Sequence, residues 1–397
     1  MREYGKSCCQ LIAGGPVSDV SWAIAQLPLI RGGLGLHSSS IHSSAAYFGS
    51  LCSSASLCQA IDCNFDTADV SGGSGAADAL SWLQSSCSAA APVQSIVAGS
   101  LDTMGSSQKQ LSAQLDAAIL DTLLHNHSAP GAIPHHLALT GIPGAGAWLT
   151  AVGGDDATAI DAPLFRICVQ RRLRMPLFEG SEDCCMCGSC VDCFGDHALV
   201  CGCGGDRVVR HNSVRGNVFC ELFELGMPVE REKAGLLPGR PTMDGLPTAS
   251  QARRPADVWV PPHSSKFPLA LDFAVCSGLR TLNLGEAHHD TSALFTEYED
   301  FKRQYQDTAK QCQAQGIEFV PFVIEAHAGG LSPLARRTLD ALIRASPGAA
   351  ETSSLKMAQR ISCSLQRESA RAIIRRRRIC SVDPAVSGWD VVQDDQA

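Results

Sequence analysis

Apolar positions along the chain recur with two periods, and each period outlines a different kind of element. Leu269, Leu271, Phe273 and Val275 alternate with Ala270, Asp272 and Ala274. That period of two predicts a strand with one large apolar face and one small face carrying a single acid. The run Arg253-Arg-Pro-Ala-Asp257-Val-Trp-Val260 predicts a second strand, and Ile317–Glu325 a third. Met227–Glu230 is strand-like and leads into a Pro/Gly-rich loop up to residue 253. Helical spacing marks Ser107–Asn126, with Leu111, Leu115, Ala118, Ile119 and Leu123 on one side and Ser106 or Ser107 as cap. It marks Ala162–Pro176 again. It also marks a helix capped by Asn212, striped by Val214, Val218, Phe219, Leu222 and Leu225, and ended by Gly226. The longest regular pattern is Leu294–Gln315, where Leu294, Tyr298, Phe301, Tyr305, Thr308 and Cys312 share a side and Gly316 stops the helix. Ser332–Ser346 closes the apolar part.

Between these elements the pattern weakens. Residues 66–104 are rich in Ser, Gly and Ala, which predicts short helices joined by flexible loops. Pro130, Pro134 and Pro143 predict a loop over 128–147. Beyond Pro347 the sequence predicts a weakly packed helix, then disorder through an Arg run and an acidic tail. Strands alternating with helices predict an α/β fold.

The bulk numbers narrow the classes. At 397 residues, 45% hydrophobic and 18% charged, the chain has material for more than one core. A net charge of −8 excludes a protein coated in positive charge, so any contact with nucleic acid has to be local. Basic clusters stand at Arg166, Arg171, Arg172 and Arg174, and again at Arg371 and Arg375–Arg378. No run of about eighteen apolar residues predicts a membrane span. The first residues lack the pattern of a secretion signal. The expected location is nuclear or cytoplasmic, not secreted, where cysteines are thiols or metal ligands.

That matters because there are 19 cysteines, and seven of them fall between Cys184 and Cys203. Cys184-x-x-Cys187 makes a close thiolate pair, and His197-x-x-x-Cys201 places two more ligands about one helical turn apart. Together they predict a structural Zn²⁺ site, with Cys185, Cys190, Cys193 and Cys203 near enough to compete as ligands. Buried thiols without metal are the alternative.

The second candidate chemistry lies in Arg254–Lys302. Asp257 and Asp272 on neighbouring strands can converge on a hard, oxygen-seeking cation such as Mg²⁺. Lys302, between Tyr298 and Tyr305, borders the buried stripe of its helix and can reach over the sheet edge. Two acids, a metal and a lysine can cut a phosphodiester. The plain alternatives are rim acids and a lysine whose stem simply lies along an apolar surface. Glu230 is a weak further ligand. Arg210 and His211 stand at the expected mouth of the Asn212 helix, where they could meet a phosphate or merely be solvated. The helix with Arg171, Arg172 and Arg174 could lie on a phosphate backbone, or show the same face to water. Gly32, Gly33 and Gly35 form a connector rather than a phosphate-binding loop, since no strand precedes them and no Gly-Lys-Ser/Thr follows. Gly-Gly-Asp155-Asp156 is a Gly-rich turn rather than a polymerase motif.

The order of these parts resembles the carboxy-terminal portion of non-LTR retrotransposon polyproteins that carry a restriction-like endonuclease after the reverse transcriptase. The resemblance rests on Leu27-Pro…Gly32-Gly-Leu-Gly35, Cys184-x-x-Cys187…Gly195-Asp-His197-x-x-x-Cys201, Gly204-Gly-Asp-Arg…Arg210-His-Asn212, Arg254-Pro-Ala-Asp257…Asp272-Phe-Ala and Tyr298…Lys302…Tyr305. It implies a PD-(D/E)xK nuclease fold, a mixed sheet flanked by helices, preceded by a zinc knuckle and a helical region. It implies Asp257 and Asp272 as Mg²⁺ ligands and Lys302 as the catalytic lysine, displaced from the usual place now held by Ala274. Arg210 and His211 match the family's basic-His pair, while Asn212 stands where an acid is usual and Ala256 separates Pro from Asp257. The implied organisation is 1–160, a helical linker after a missing polymerase; 161–205, basic helix and knuckle; 206–346, nuclease; 347–397, a basic then acidic tail. The implied partners are DNA and the element's RNA, with no membrane. The alternative is an inactive nucleic-acid-binding remnant.

Overall fold

The computed structural model describes residues 2–64, 78–79, 81–83, 85, 108–125, 132–178, 180, 182–237, 254–262, 267–280 and 291–380. It is a mixed α/β protein whose chain divides into two compact units, Met1–Gly141 with Arg172–Met175, and Ile142–Arg171 with Pro176–Ala397.

The first unit is helical: α1 (Arg2–Ala13), α2 (Asp19–Gln26), α3 (Ser39–Ile61), α4 (Gln108–Leu124) and α5 (Ile133–Thr140). Ser18 caps α2 by accepting the Ser21 N–H at 3.0 Å. Helices α3 and α4 pack through Ala45, Phe48, Leu111 and Leu115. The expected cap at Ser106 or Ser107 and nearly all of 66–104 lie outside the described residues. The loop expected over 128–147 is corrected by α5. Pro134 sits in the first turn of that helix, where proline's missing N–H and fixed φ are tolerated. Between α2 and α3 the Gly-rich connector turns sharply. A side chain at Gly33 would meet the Leu27 carbonyl at 1.9 Å, so only glycine lets the backbones approach.

The second unit is built on a four-stranded sheet of order β3-β4-β5-β6, with β3 at Glu230–Arg231, β4 at Val258–Val260, β5 at Leu269–Cys276 and β6 at Glu318–Glu325. β3 and β4 pair antiparallel, as do β4 and β5, whereas β5 and β6 are parallel. Before the sheet come α6 (Ala162–Arg172), a small hairpin of β1 (Glu182–Asp183) and β2 (Cys190–Val191), α7 (His197–Val200) and α8 (Asp206–Glu224). Between β5 and β6 run α9 (Thr291–Gln304) and α10 (Thr308–Ala314), and α11 (Pro333–Ala345) and α12 (Ser353–Cys380) follow.

The alternation in β5 is realised. Leu271 and Phe273 enter a core shared with Val258, Val260, Phe322 and Ile324, closed by Val218 and Leu222 of α8, Leu339 and Leu342 of α11, and Ile361 and Leu365 of α12. Phe273 stacks on Phe322 with ring centroids 4.5 Å apart. The other face places Ala270 against Trp259, Cys312 and Ile317. Helices thus cover both faces.

In the second unit three expected elements differ. The helix expected from Asn212 starts at Asp206, directly after Gly205 with φ 73°. Arg210, His211 and Asn212 are therefore inside the helix, not at its mouth. The helix expected over Leu294–Gln315 breaks, because Gln306 and Asp307 take left-handed conformations with φ 56° and 53°. The break lets both α9 and α10 lie against β6. The weakly packed helix expected beyond Pro347 is instead α12, which buries Met357, Ile361, Leu365 and Ile373. The tail from residue 381 lies outside the described residues. Among the described residues no helix is long and apolar enough to cross a membrane.

Candidate functional site

The cysteine-rich segment folds as its spacing predicts. The β1–β2 hairpin carries Cys184 and Cys187 on its turn, where Gly188 takes φ 71°. Asp192 then accepts the N–H groups of Phe194, Asp196 and His197 at 2.9, 3.0 and 2.7 Å, which fixes the start of α7. His197 opens that helix and Cys201 follows its end, one turn later. The ligand atoms of Cys184, Cys187, His197 and Cys201 all lie within 4.8 Å of one another. Sulfurs around a tetrahedral zinc stand about 3.8 Å apart for Zn–S near 2.3 Å, so three thiols and an imidazole at this spacing fit a structural zinc. Burial works to raise the Cys184 thiol, but N–H groups of Met186 and Cys187 and the His197 ring hold it below the ordinary value. That is the direction a thiolate ligand requires. Cys185, Cys190, Cys193 and Cys203 are not in this cluster.

The acids of the sheet meet the other predicted groups. Lys302 Nζ lies 2.9 Å from Asp272 Oδ2, each side chain 23% exposed. The register pairs Val258 with Leu271, so Asp257 and Asp272 stand opposite each other one step further along. Asp257 Oδ2 accepts the Phe273 N–H at 2.7 Å and lies 3.3 Å from His211 Nε2. Burial pushes Asp272 above the usual carboxylate value; Lys302 opposes this, and the charge of Asp257 adds to it. At Asp257 burial acts upward too. There the hydrogen bond and charge of His211, the Phe273 N–H and Arg215 outweigh it and hold the acid low. The hydrogen bond to Asp257 in turn holds His211 above the ordinary histidine value, against burial.

The structure adds Arg215, which sequence reasoning passed over. Its NH1 lies 3.7 Å from Asp257 Oδ1 and also pairs with Glu232. Four residues after His211 on α8, it shares that residue's face, and this spacing was the available signal. Glu230 does not join the acids; it pairs with Lys233 at 2.7 Å.

The expected nucleic-acid contacts are corrected. Arg171, Arg172, Arg174 and Arg210 are 3%, 4%, 6% and 2% exposed and offer no surface to a phosphate backbone. Arg210 donates to the Leu199 carbonyl at 2.6 Å, tying α8 to the knuckle, and burial pushes its guanidinium down to about 10. Arg171 lies 2.8 Å from His327 Nδ1 and donates to the His327 carbonyl. Arg172 donates to the carbonyls of Leu29 and Gly33, clamping the Gly-rich connector. In the second basic cluster Arg376 is fully buried on Asp206 at 2.8 Å. Asp155 of the Gly-Gly-Asp-Asp turn accepts the Thr158 N–H at 2.9 Å and pairs with Arg360 of α12. It is a structural turn, as its setting implied. His211, 27% exposed, faces Asp257 rather than solvent phosphate.

No protein-family model matches the chain, and no curated protein matches it.

Proposed function

We propose that Asp257, Asp272 and Lys302 form the centre of a divalent-metal-dependent DNA endonuclease of the PD-(D/E)xK type, carried beside a structural zinc knuckle in the carboxy-terminal part of a non-LTR retrotransposon protein. One observation carries this reading: a lysine from a separate helix reaches a half-buried acid on β5, 2.9 Å away, beside a second acid on the adjoining strand segment. Mg²⁺ commonly uses one or two carboxylates and keeps waters and substrate phosphate as its other ligands, so two acids suit it. Burial leaves Asp272 raised even with Lys302 beside it, so a further cation there is favourable.

Asp257 and Asp272 would hold the ion. Bound Mg²⁺ supplies charge neutralisation at the phosphodiester and acidifies the attacking water. Lys302 orients that water and offsets negative charge developing on the phosphoryl oxygens. His211 and the Phe273 N–H fix the Asp257 carboxylate through Oδ2, and Arg215 lies 3.7 Å from its Oδ1. DNA is the substrate, and the element's RNA is a second partner of the intact protein.

Nicking of supercoiled plasmid by the full chain tests this. Nicking requires Mg²⁺, and Asp272→Asn and Lys302→Met each reduce it by about 10²-fold or more. Metal-independent nicking, or nicking unchanged in both variants, refutes it. Salt-sensitive DNA binding with no nicking in any version gives the inactive binding remnant instead. That alternative loses the support of Arg171, Arg172, Arg174 and Arg210, which are buried.

A further inference from the structure

The amino-terminal unit holds a second set of ligating side chains that the nuclease reading does not use. His37 ends the Gly-rich connector, His42 lies in the first turn of α3, and Asp116 lies midway along α4. Asp116 Oδ1 is 3.5 Å from His37 Nδ1 and 3.4 Å from His42 Nε2. The three ligand atoms fall within 4.8 Å of one another, and the imidazole rings meet edge to face with centroids 4.7 Å apart.

Three features of this arrangement point to an ion. The carboxylate is buried, 6% exposed, beside the Ala45, Phe48 and Leu115 cluster, and its Oδ1 has no hydrogen-bond partner. A carboxylate removed from water without such a partner is costly. The spacing also suits a metal better than hydrogen bonds. An N–H···O bond has its mode near 2.9–3.0 Å, whereas N and O ligands about 2.0–2.1 Å from a tetrahedral ion stand about 3.3–3.4 Å apart. Finally, two imidazoles and a carboxylate are the donor types that divalent first-row ions accept.

We propose that His37, His42 and Asp116 bind one divalent transition ion of zinc-like chemistry, separate from the Cys184–Cys187–His197–Cys201 site. Three protein atoms leave a fourth position to water or a small anion. His37 is 42% exposed, so that position opens toward solvent. The ion joins the end of the Gly-rich connector to α3 and α4. It neutralises a buried charge that the surrounding apolar cluster cannot.

Metal counting on the full chain tests this. After reconstitution with Zn²⁺ and desalting, the wild type is expected to hold two equivalents, and His37→Gln and Asp116→Asn one each. Because His37 is largely exposed, its variant keeps the fold, and circular dichroism checks both. With Co²⁺ as probe, the cysteine site gives thiolate-to-cobalt charge transfer. The second equivalent adds visible absorption without that band, and only this part is lost in the two variants. A wild type that stops at one equivalent, or a His37→Gln chain that still holds two, overturns the proposal.

Discussion

Replacing Ile361 by alanine tests whether α12 belongs to the sheet core. Ile361 is 1% exposed, and its helical neighbours Met357 and Leu365 are fully buried in the same cluster as Phe273 and Phe322. The substitution removes buried carbons worth about 0.8 kcal/mol each and leaves a cavity, which together place the cost at about 3–4 kcal/mol. Against a total stability of about 5–15 kcal/mol this is a large fraction. Leu355 lies in the same helix at 55% exposure, and its alanine variant is expected to change stability by no more than about 0.5 kcal/mol. Urea unfolding followed by circular dichroism reads both. The midpoint falls clearly for Ile361→Ala and hardly at all for Leu355→Ala. Equal, small shifts would mean that the helix does not dock on the sheet in solution, and the closure of the core by α12 would be wrong.

Two further outcomes are expected. His211 is held above the ordinary histidine value, so its stabilising contribution is complete below the unfolded pKa and lost as pH rises through the folded one. Asp257 is held below its ordinary value, so its contribution is present above the unfolded carboxylate pKa and lost as pH falls through the folded one. His211→Gln therefore flattens the loss of stability on the alkaline side of the histidine range; denaturation midpoints that keep the wild-type slope there contradict the pairing. At the knuckle, Cys187→Ser is expected to lose one zinc and to lower the melting temperature, because ligand binding free energy is folding free energy in such a site. A variant that retains the full zinc count removes Cys187 from the ligand set.

The parts legible in the sequence are those set by local spacing. Cys184-x-x-Cys187 and His197-x-x-x-Cys201 carry their geometry in the turn and helix that hold them, and the alternation of β5 follows from its period of two. What the sequence hid depends on partners. Arg171, Arg172 and Arg210 advertise charge, but the carbonyls of His327, Gly33 and Leu199 that receive their hydrogen bonds lie at distant or unmarked positions. Asn212 has strong capping propensity, yet Gly205 with its positive φ starts the helix two turns earlier. The buried face of α12 includes Ser362, Ser364, Gln366, Ser369 and Arg376, so low hydropathy concealed a core helix. No residue type marks the break at Gln306 and Asp307.

Ala274 and Lys302 show how a helix, rather than the strand itself, brings an amine to Asp272. Residues two apart on a strand share a face, so Ala270, Asp272 and Ala274 look the same way. A lysine at 274 would reach this face directly; Ala274 is 4% exposed and brings no charge. Because β5 and β6 are parallel, the chain between them must cross over the sheet, and a crossover of that length folds as helix. The crossover lies on the face that holds Asp272, where Cys312 of α10 packs with Ala270. A lysine in the last turn of α9 arrives at the acid by that route, and the ion pair at 2.9 Å is the result. The amine's position is therefore set by helix-on-sheet packing and not by distance along the strand. Lengthening the segment between β5 and α9 should leave the Lys302–Asp272 pair in place, whereas changing the register of α9 by one residue should break it.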